Sequence, residues 1–399
     1  MNIFYKLTIF GTNIWTCNIL LHEFQSSVSF FFHHVMIRLF LSEQRSLKGL
    51  AVALFYFICK EEQKMNTYPK FKVAAVQSAP VLLDLDATVA KTCTLIDEAG
   101  ANNAKLIAFP EAWIPGYPYW IWMDGPDYGM KYFVEFFKNA VEIPSKAVRD
   151  LSEAARRNSM YVCVSVTERE GGSLYLTQLW FAPNGDLIGK HRKNKATSQE
   201  KTIWGDGDGS LMPVFDTELG RLGGLQCWEH FIPLNVAAMG GQNEQIHCGS
   251  WPVAMWNPDN MFATMQTHAA ATYYAVTNQV YYLLASQIWT DEEADRICET
   301  DAHRAAMKNG YGMTKIIAPN GRDIGTHLEP DEEGICYADI DLGAYIAGRY
   351  IIDTAGTYST PGFLRLTLDK SVHKAVNIIG EHEQNVITYE EIQYADSIK

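Results

Sequence analysis

No run of lysine or arginine crosses this sequence. Its 33 basic side chains are outnumbered by 46 acidic ones, for a formal net charge of −13. A scattered basic minority makes nucleic acid and anionic membrane poor partners. Long apolar runs are missing as well. The longest uncharged one, Gly49 to Cys59, is too short to span a bilayer. The first 64 residues are rich in Phe, Ile and Leu (Phe30-Phe-Phe32, Leu54-Phe-Tyr-Phe-Ile58), yet they lack the ordered basic, apolar and cleavage regions of a secretory signal. Nor is there a cysteine framework. The eight cysteines are scattered, in apolar surroundings such as Tyr161-Val-Cys-Val164 and Gly334-Ile-Cys-Tyr337. That fits reduced core thiols in a cytoplasmic protein better than disulfides. The loop Gly205-Asp-Gly-Asp-Gly-Ser210 is not followed by Lys-Ser/Thr, so it reads poorly as a phosphate cradle.

What is present is ordinary globular texture, 47% hydrophobic and 20% charged, with ample material for a core. That texture opens at Met65. Residues 1–64 show no helical or strand period and are expected to lie outside the fold. Residues 65–345 form the expected main domain. After Ala344 periodicity fades, and residues 346–399, with the acidic stretch Glu381 to Tyr394, read as an extended tail, free or docked on a partner.

Within the domain, strands and helices alternate. Phe71 to Ala79 predicts a strand. A helix follows with Val89, Cys93, Ile96 and Ala99 on one face, closed by Gly100. Ala104 to Phe109 is a buried strand that Pro110 ends. Ser145 to Asn158 is a helix and Met160 to Val166 a strand. Leu174 to Phe181 and Leu187 to Arg192 flank Asn184-Gly185, a two-residue hairpin signal. Asn320-Gly321 does the same between Thr314–Ala318 and Asp323–Gly325. This mixture predicts a layered α/β protein with helices over the sheets.

The chain is organised around Arg221-Leu-Gly-Gly-Leu-Gln-Cys-Trp-Glu-His230. Leu222 to Gln226 reads as a buried strand that stops at Cys227 and turns into a helix near Pro233. A thiol at that corner meets backbone N–H groups that favour negative charge. Alone, a cysteine there is more often packing. Glu111 and Lys193, however, also stand just past strand ends, where ligands bind in layered α/β folds. Each has a bland alternative, a loop cap for Glu111 and a solvated base for Lys193. Together the three supply a nucleophile, its base and a charge stabiliser. Two rivals compete for Cys227. With His230, His247 and Cys248 it superficially makes a zinc set, but adjacent strand residues His247 and Cys248 point to opposite faces. A papain-like pair with His230 lacks the surrounding motif. Trp113, Tyr117, Tyr119, Trp120, Trp122 and Trp251 either line an apolar pocket or pack the core.

These residues carry a resemblance. Phe109-Pro-Glu-Ala112 with Pro115-Gly-Tyr-Pro118, Gly189-Lys-His-Arg-Lys193, Trp204-Gly-Asp-Gly-Asp-Gly-Ser210 and Cys227-Trp-Glu-His230 resemble, in order, the blocks of the nitrilase branch of the carbon–nitrogen hydrolases. The likeness runs from about Met65 to the end, through Asp353-Thr-Ala-Gly356 and Arg365-Leu366. Asn243-Glu-Gln245 and Ile387-Thr-Tyr-Glu-Glu-Ile-Gln-Tyr394 look most like the bacterial cyanide dihydratases and aliphatic nitrilases. The resemblance implies a four-layer αββα sandwich that pairs into αββα–αββα dimers and longer spirals. It implies Cys227 as nucleophile, Glu111 as general base, Lys193 as stabiliser of the tetrahedral intermediate and Glu200 as a supporting glutamate. Tyr117, Trp228 and Trp251 are the candidate substrate contacts, and no metal or organic cofactor is expected. Ala196, Lys201 and Thr357 depart from the usual Pro, Arg and His, which touches loop shape and assembly rather than the triad. The implied activity is hydrolysis of small organic nitriles to acid and ammonia. The alternatives are cyanide hydrolysis, an amidase or carbamoylase, and a non-catalytic filament protein.

Overall fold

The computed structural model describes residues 68–253, 262–307 and 311–373, with residues 8, 9, 12, 13, 376, 388 and 389. The chain divides into two units, Met1–Tyr68 and Pro69–Lys399. In the first, only a short antiparallel pairing of Thr8–Ile9 with Thr12–Asn13 is described. The expectation that residues 1–64 stay outside the fold otherwise lies outside the described residues.

In the second unit, Val73, Ala74, Ala75 and Val76 are fully buried, the mark of a strand covered on both faces. They belong to β1 (Lys70–Gln77), followed by α1 (Leu85–Ala101) and β2 (Ala104–Ala108). Asp84 starts α1 by accepting the Ala87 N–H at 2.9 Å. The helix runs past Gly100. That glycine serves close packing instead of termination, because a Cβ there would lie 2.1 Å from the Asn158 side chain. Next come α2 (Pro126–Lys138), α3 (Lys146–Asn158), β3 (Tyr161–Glu170), β4 (Ser173–Phe181) and β5 (Leu187–Arg192). The second half holds β6 (Val214–Thr217), β7 (Gly220–Gln226), α4 (Pro233–Gly241), β8 (Ile246–Trp251), α5 (Phe262–Asn278) and β9 (Tyr281–Ser286). It closes with α6 (Asp291–Ile297), α7 (Asp301–Met307), β10 (Lys315–Ile317), β11 (Gly334–Asp341) and α8 (Leu342–Ile351).

The strands form one mixed eleven-stranded sheet in the order β5-β4-β3-β2-β1-β9-β8-β7-β6, with β10 on β9 and β11 on β1. The parallel centre comes from the α/β units, and the antiparallel ends β3–β4–β5 and β6–β7 are the hairpins. The sheet curls until its halves face each other. Val73, Leu106, Cys163 and Trp180 pack with Leu222, Ile246, Cys248 and Leu283 in one buried cluster. Alternate residues of the same strands point outward. On one outer face Ala74, Ile107 and Val162 meet Ile96 and Leu151 of α1 and α3. On the other, Leu225 and Leu284 meet Met239 of α4 and Tyr274 of α5.

The structure departs from the sequence reading in the second hairpin and in the C-terminal region. The expected hairpin around Asn320-Gly321 has one true strand, β10, paired to Tyr282–Leu284, and its return arm is a single bridge from Ile317 to Asp323. Order does not end at Ala344. Asp341 caps α8 through the Gly343 N–H at 2.7 Å. This helix mixes buried Leu342 and Tyr345 with exposed Tyr350 and Ile351, so its sequence shows no clean apolar stripe. Beyond it, Leu368 packs beside Met212 and Val214, and the His373 N–H bonds Asp208. Among the described residues no helix is long and apolar enough to cross a membrane.

Candidate active site

Three strand ends converge because a residue at or just past each end is tied to a neighbouring strand. Pro110, which has no N–H, releases the chain after β2. Glu111 is then pinned: its N–H donates to the Trp251 carbonyl at 3.1 Å and its carbonyl accepts Gln287 Nε2 at 2.7 Å. Ala112 follows at φ 47°, with its N–H on Ser165 Oγ. Lys193 leaves β5 with its N–H on the Leu176 carbonyl at 2.8 Å. Gln226, at the end of β7, bonds Ser165 Oγ and sends Nε2 to the same Leu176 carbonyl at 3.1 Å. Cys227 opens a short 3-10 turn, Cys227–Phe231, and also sits at φ 47°. Left-handed backbone in a non-glycine residue is sparsely populated and persists where its surroundings enforce it. His230 does so here, through Nδ1 at 2.6 Å from the Cys227 carbonyl. A carbonyl only accepts, so that nitrogen carries the hydrogen.

Lys193 is 2% exposed and Glu111 not at all. The Lys193 ammonium donates to Glu111 Oε1 at 2.8 Å and to Glu200 Oε2 at 2.7 Å. Glu200 is fixed in turn by the Thr197 N–H and by the Tyr117 hydroxyl at 2.8 Å. Glu111 Oε2 is buried without a hydrogen-bond partner among the described residues. Burial, opposed by Lys193 and reinforced by Glu200, lifts the Glu111 carboxyl to about 8. Burial works against the Lys193 ammonium, but Glu111 and Glu200 outweigh it and hold its pKa well above the usual value. Burial also drives the Cys227 thiol up, as does Glu111, while Lys193 and the Trp228 N–H pull it down. The resting sulfur is therefore a thiol beside a carboxylate of raised basicity.

The sequence candidates fall into groups. Glu111, Lys193, Glu200 and Tyr117 share one hydrogen-bonded cluster, with Cys227 in electrostatic contact. Trp251 stacks on the His230 ring at 5.1 Å behind the nucleophile, with its N–H on the Tyr282 hydroxyl. Trp228 contributes its backbone N–H to Cys227. Its indole is 48% exposed and lies edge-on to Phe231. Trp113 turns away, bonding Thr92 among the α1 and α3 core residues. Tyr119 and Trp120 pack in the cluster that also holds Tyr117, and Trp122 donates to the Tyr117 hydroxyl at 3.2 Å.

The two rivals for Cys227 fare poorly. His247 and Cys248 point to opposite faces, the thiol into the inter-sheet cluster and the imidazole to Glu244 at 2.8 Å. No group of three or more metal-ligating side chains is assembled among the described residues. His230 has Nδ1 on a carbonyl and Nε2 against His247 and Tyr282, so neither nitrogen is left for the sulfur. Sequence reasoning missed Ser165, Gln226, Gln287, His191 and Glu229, which tie the strand ends together. Glu229 and His191 lay inside motif blocks already singled out. Gln226 stood in the same stretch as Cys227 but was read only as the strand's last residue, and Ser165 and Gln287 gave no signal, since each is a polar residue in or beside a strand.

The carbon–nitrogen hydrolase family matches residues 72–350. A nitrilase of Bacillus sp. (strain OxB-1) is 64% identical over 332 residues, 83% of this chain and 98% of the relative. An aliphatic nitrilase of Rhodococcus rhodochrous is 42% identical over 77% of this chain and 85% of its own. The crystal structure of Saccharomyces cerevisiae Nit3, a member of branch 10 of the nitrilase superfamily, superposes with a TM-score of 0.58 at 21% identity. The superposition covers 74% of this chain and 98% of Nit3. With the curled mixed sheet, the clustered strand ends and these relatives together, the chain belongs to the nitrilase branch of the carbon–nitrogen hydrolases.

Proposed function

We propose that this nitrilase converts small organic nitriles to carboxylic acid and ammonia, with Cys227 as nucleophile, Glu111 as general base, Lys193 as electrostatic stabiliser and Glu200 as its support. The observation that carries the reading is the buried Lys193 ammonium shared by Glu111 and Glu200 beside the Cys227 thiol. The thiol proton passes to Glu111 Oε2, which has no hydrogen-bond partner among the described residues. The sulfur bonds the nitrile carbon and the nitrogen takes that proton from Glu111, giving a thioimidate and restoring the carboxylate. Water adds with its proton moving to Glu111, and the tetrahedral species is held by Lys193 and the Trp228 N–H. Loss of ammonia leaves a thioester, and a second water releases the acid and restores the thiol. Loss of the thiol from the same tetrahedral species would instead release an amide.

Organic nitriles are favoured over cyanide by the likeness to a nitrilase and an aliphatic nitrilase. Tyr117, Trp228 and Trp251 remain the proposed substrate contacts. We read the curled sheet with its outer helices as a four-layer αββα sandwich, in a cytoplasmic protein that pairs through one helical face and extends into spirals. Exposed Tyr350, Phe363 and Leu364, at 92%, 85% and 73%, support a role for residues 346–399 in that assembly.

Ammonia, acid and amide measured in parallel for cyanide, an aliphatic dinitrile and phenylacetonitrile test the substrate reading. Turnover of cyanide alone would overturn it. Cys227→Ala should fold and lose turnover by more than about 10⁴-fold. A slow nitrile should leave a mass adduct on Cys227, and an adduct on Cys163 or Cys248 instead would sink the assignment.

A further inference from the structure

Between Lys193 and Cys227 lies a carboxylate that the proposed chemistry does not use. Glu229 is 1% exposed. Its Oε1 accepts the Asn194 N–H at 2.7 Å, and its Oε2 accepts the Gln226 N–H at 2.9 Å. Asn194 directly follows Lys193, and Gln226 directly precedes Cys227. One side chain thus bonds the backbone beside the ammonium and the backbone beside the thiol. Its third partner is His191 Nε2, at 2.8 Å from Oε2.

His191 is fully buried on β5, two residues before Lys193, and its Nδ1 lies 2.6 Å from the Leu211 carbonyl. That carbonyl only accepts, so Nδ1 carries a hydrogen, and at Nε2 the ring meets a carboxyl group that already accepts two backbone N–H groups, an arrangement that favours the charged pair. The charges agree. Burial lowers the His191 pKa, but Glu229 more than restores it. Burial raises Glu229, and His191 with the two N–H groups more than reverses that. A local reading of Glu229 is available, since it stands at the third position of the Cys227–Phe231 turn and completes a capping box with Gln226. That accounts for the bond to Gln226. It leaves Asn194 and His191, both on the β5 side, unexplained.

We propose that Glu229, held by His191, is a positioning residue that sets the spacing between the Lys193 ammonium and the Cys227 sulfur. The proposal rests on the assignment of Cys227 and Lys193 above. Lys193 is linked to the β7 side through this carboxylate and through the shared Leu176 carbonyl. A neutral amide at position 229 has one acceptor oxygen for three donors, so one strand end is released. Misplacement of reacting groups by about 1 Å costs on the order of 10²-fold in rate.

The test compares Glu229→Gln, His191→Gln and His191→Leu in the full chain. Each is read by kcat and KM on a turned-over nitrile, by the rate of iodoacetamide labelling at Cys227, and by melting temperature. Glu229→Gln and His191→Leu should lower kcat about 10²-fold with KM within about twofold. His191→Gln, whose amide still donates to Glu229, should recover most of that loss. The Glu229→Gln/His191→Leu double variant should be scarcely worse than either single one, because both break the same link. Raised KM with unchanged kcat, equal losses in His191→Gln and His191→Leu, or additive losses in the double variant would each overturn the proposal. If Glu229→Gln does not fold, the His191 pair decides the matter. Labelling at Cys227 needs no nitrile, so it reads the link even if Cys227→Ala retains turnover and the assignment of the nucleophile falls.

Discussion

At the scale of single residues, the site is a problem of placing charge away from bulk solvent. Lys193 sits between two carboxylates with 2% of its surface exposed. Burial pushes Glu111 to about 8, and a base must be ionised to accept the thiol proton. With Glu111 as base, kcat/KM should fall as pH drops below about 8, approaching tenfold per unit. A flat profile from pH 6 to 8.5 would remove Glu111 from that role. Glu244, which receives the Tyr274 hydroxyl and faces His247, is likewise raised by burial to about 8. There the consequence is for stability. Between the unfolded carboxyl value and 8 the folded state binds the extra proton, so stability falls as pH rises through that window. Glu244→Gln mimics the protonated form: its amide can donate to His247 and its oxygen can accept from Tyr274. Thermal melts should show a smaller loss of melting temperature from pH 6 to 8.5 in the variant than in the parent chain.

At the scale of elements, what aligns the strand ends is the curl of the sheet. Gln178 of β4 crosses the gap and points Nε2 at the Leu225 and Cys248 carbonyls and at Ser250 Oγ, within 3.2 Å. Leu225 lies two residues before Cys227. Gln178→Leu fills the space but removes the donor to two buried carbonyls and to Ser250 Oγ, which should cost about 1–3 kcal/mol in urea unfolding. It should also slow iodoacetamide labelling of Cys227. Unchanged stability would mean that apolar packing alone holds the halves together. Strands and hairpins were readable because alternation, Pro110 and Asn184-Gly185 are local signals. Helices α2 and α5 escaped notice for the opposite reason. α5 carries Ala269-Ala-Ala271 and aromatic residues on several faces, and the cluster it joins draws Leu225 from β7, Met239 from α4 and Ile317 from β10, segments well separated from it in sequence.

At the scale of the whole molecule, the two units raise a question of necessity. The family matches residues 72–350, and the Bacillus relative is covered almost completely by 83% of this chain. A chain beginning at Met65 should therefore keep its specific activity and its assembly size. In light scattering the full chain should be larger than a lone 45.0 kDa subunit. Loss of activity or a change in assembly on truncation would place residues 1–64 in the working protein. A monomer across a wide concentration range would contradict self-association.

The sequence by itself determined the chemical inventory. Glu111, Lys193 and Cys227 stand past strand ends, and the ends are marked by local features: a proline, a hairpin, a strand followed by a helix-starting Pro233. The ordered motif blocks added the family. Tertiary structure decided everything that depends on approach across the curled sheet. It decided that Trp113 packs against Thr92 and that Cys227 adopts a left-handed backbone held by His230. It also decided that Glu229 joins backbone groups 32 positions apart, Asn194 and Gln226. Such bonds leave no period in the chain, because hydrogen-bond partners are chosen by distance in space, and strands that end side by side here are separated by whole elements in sequence.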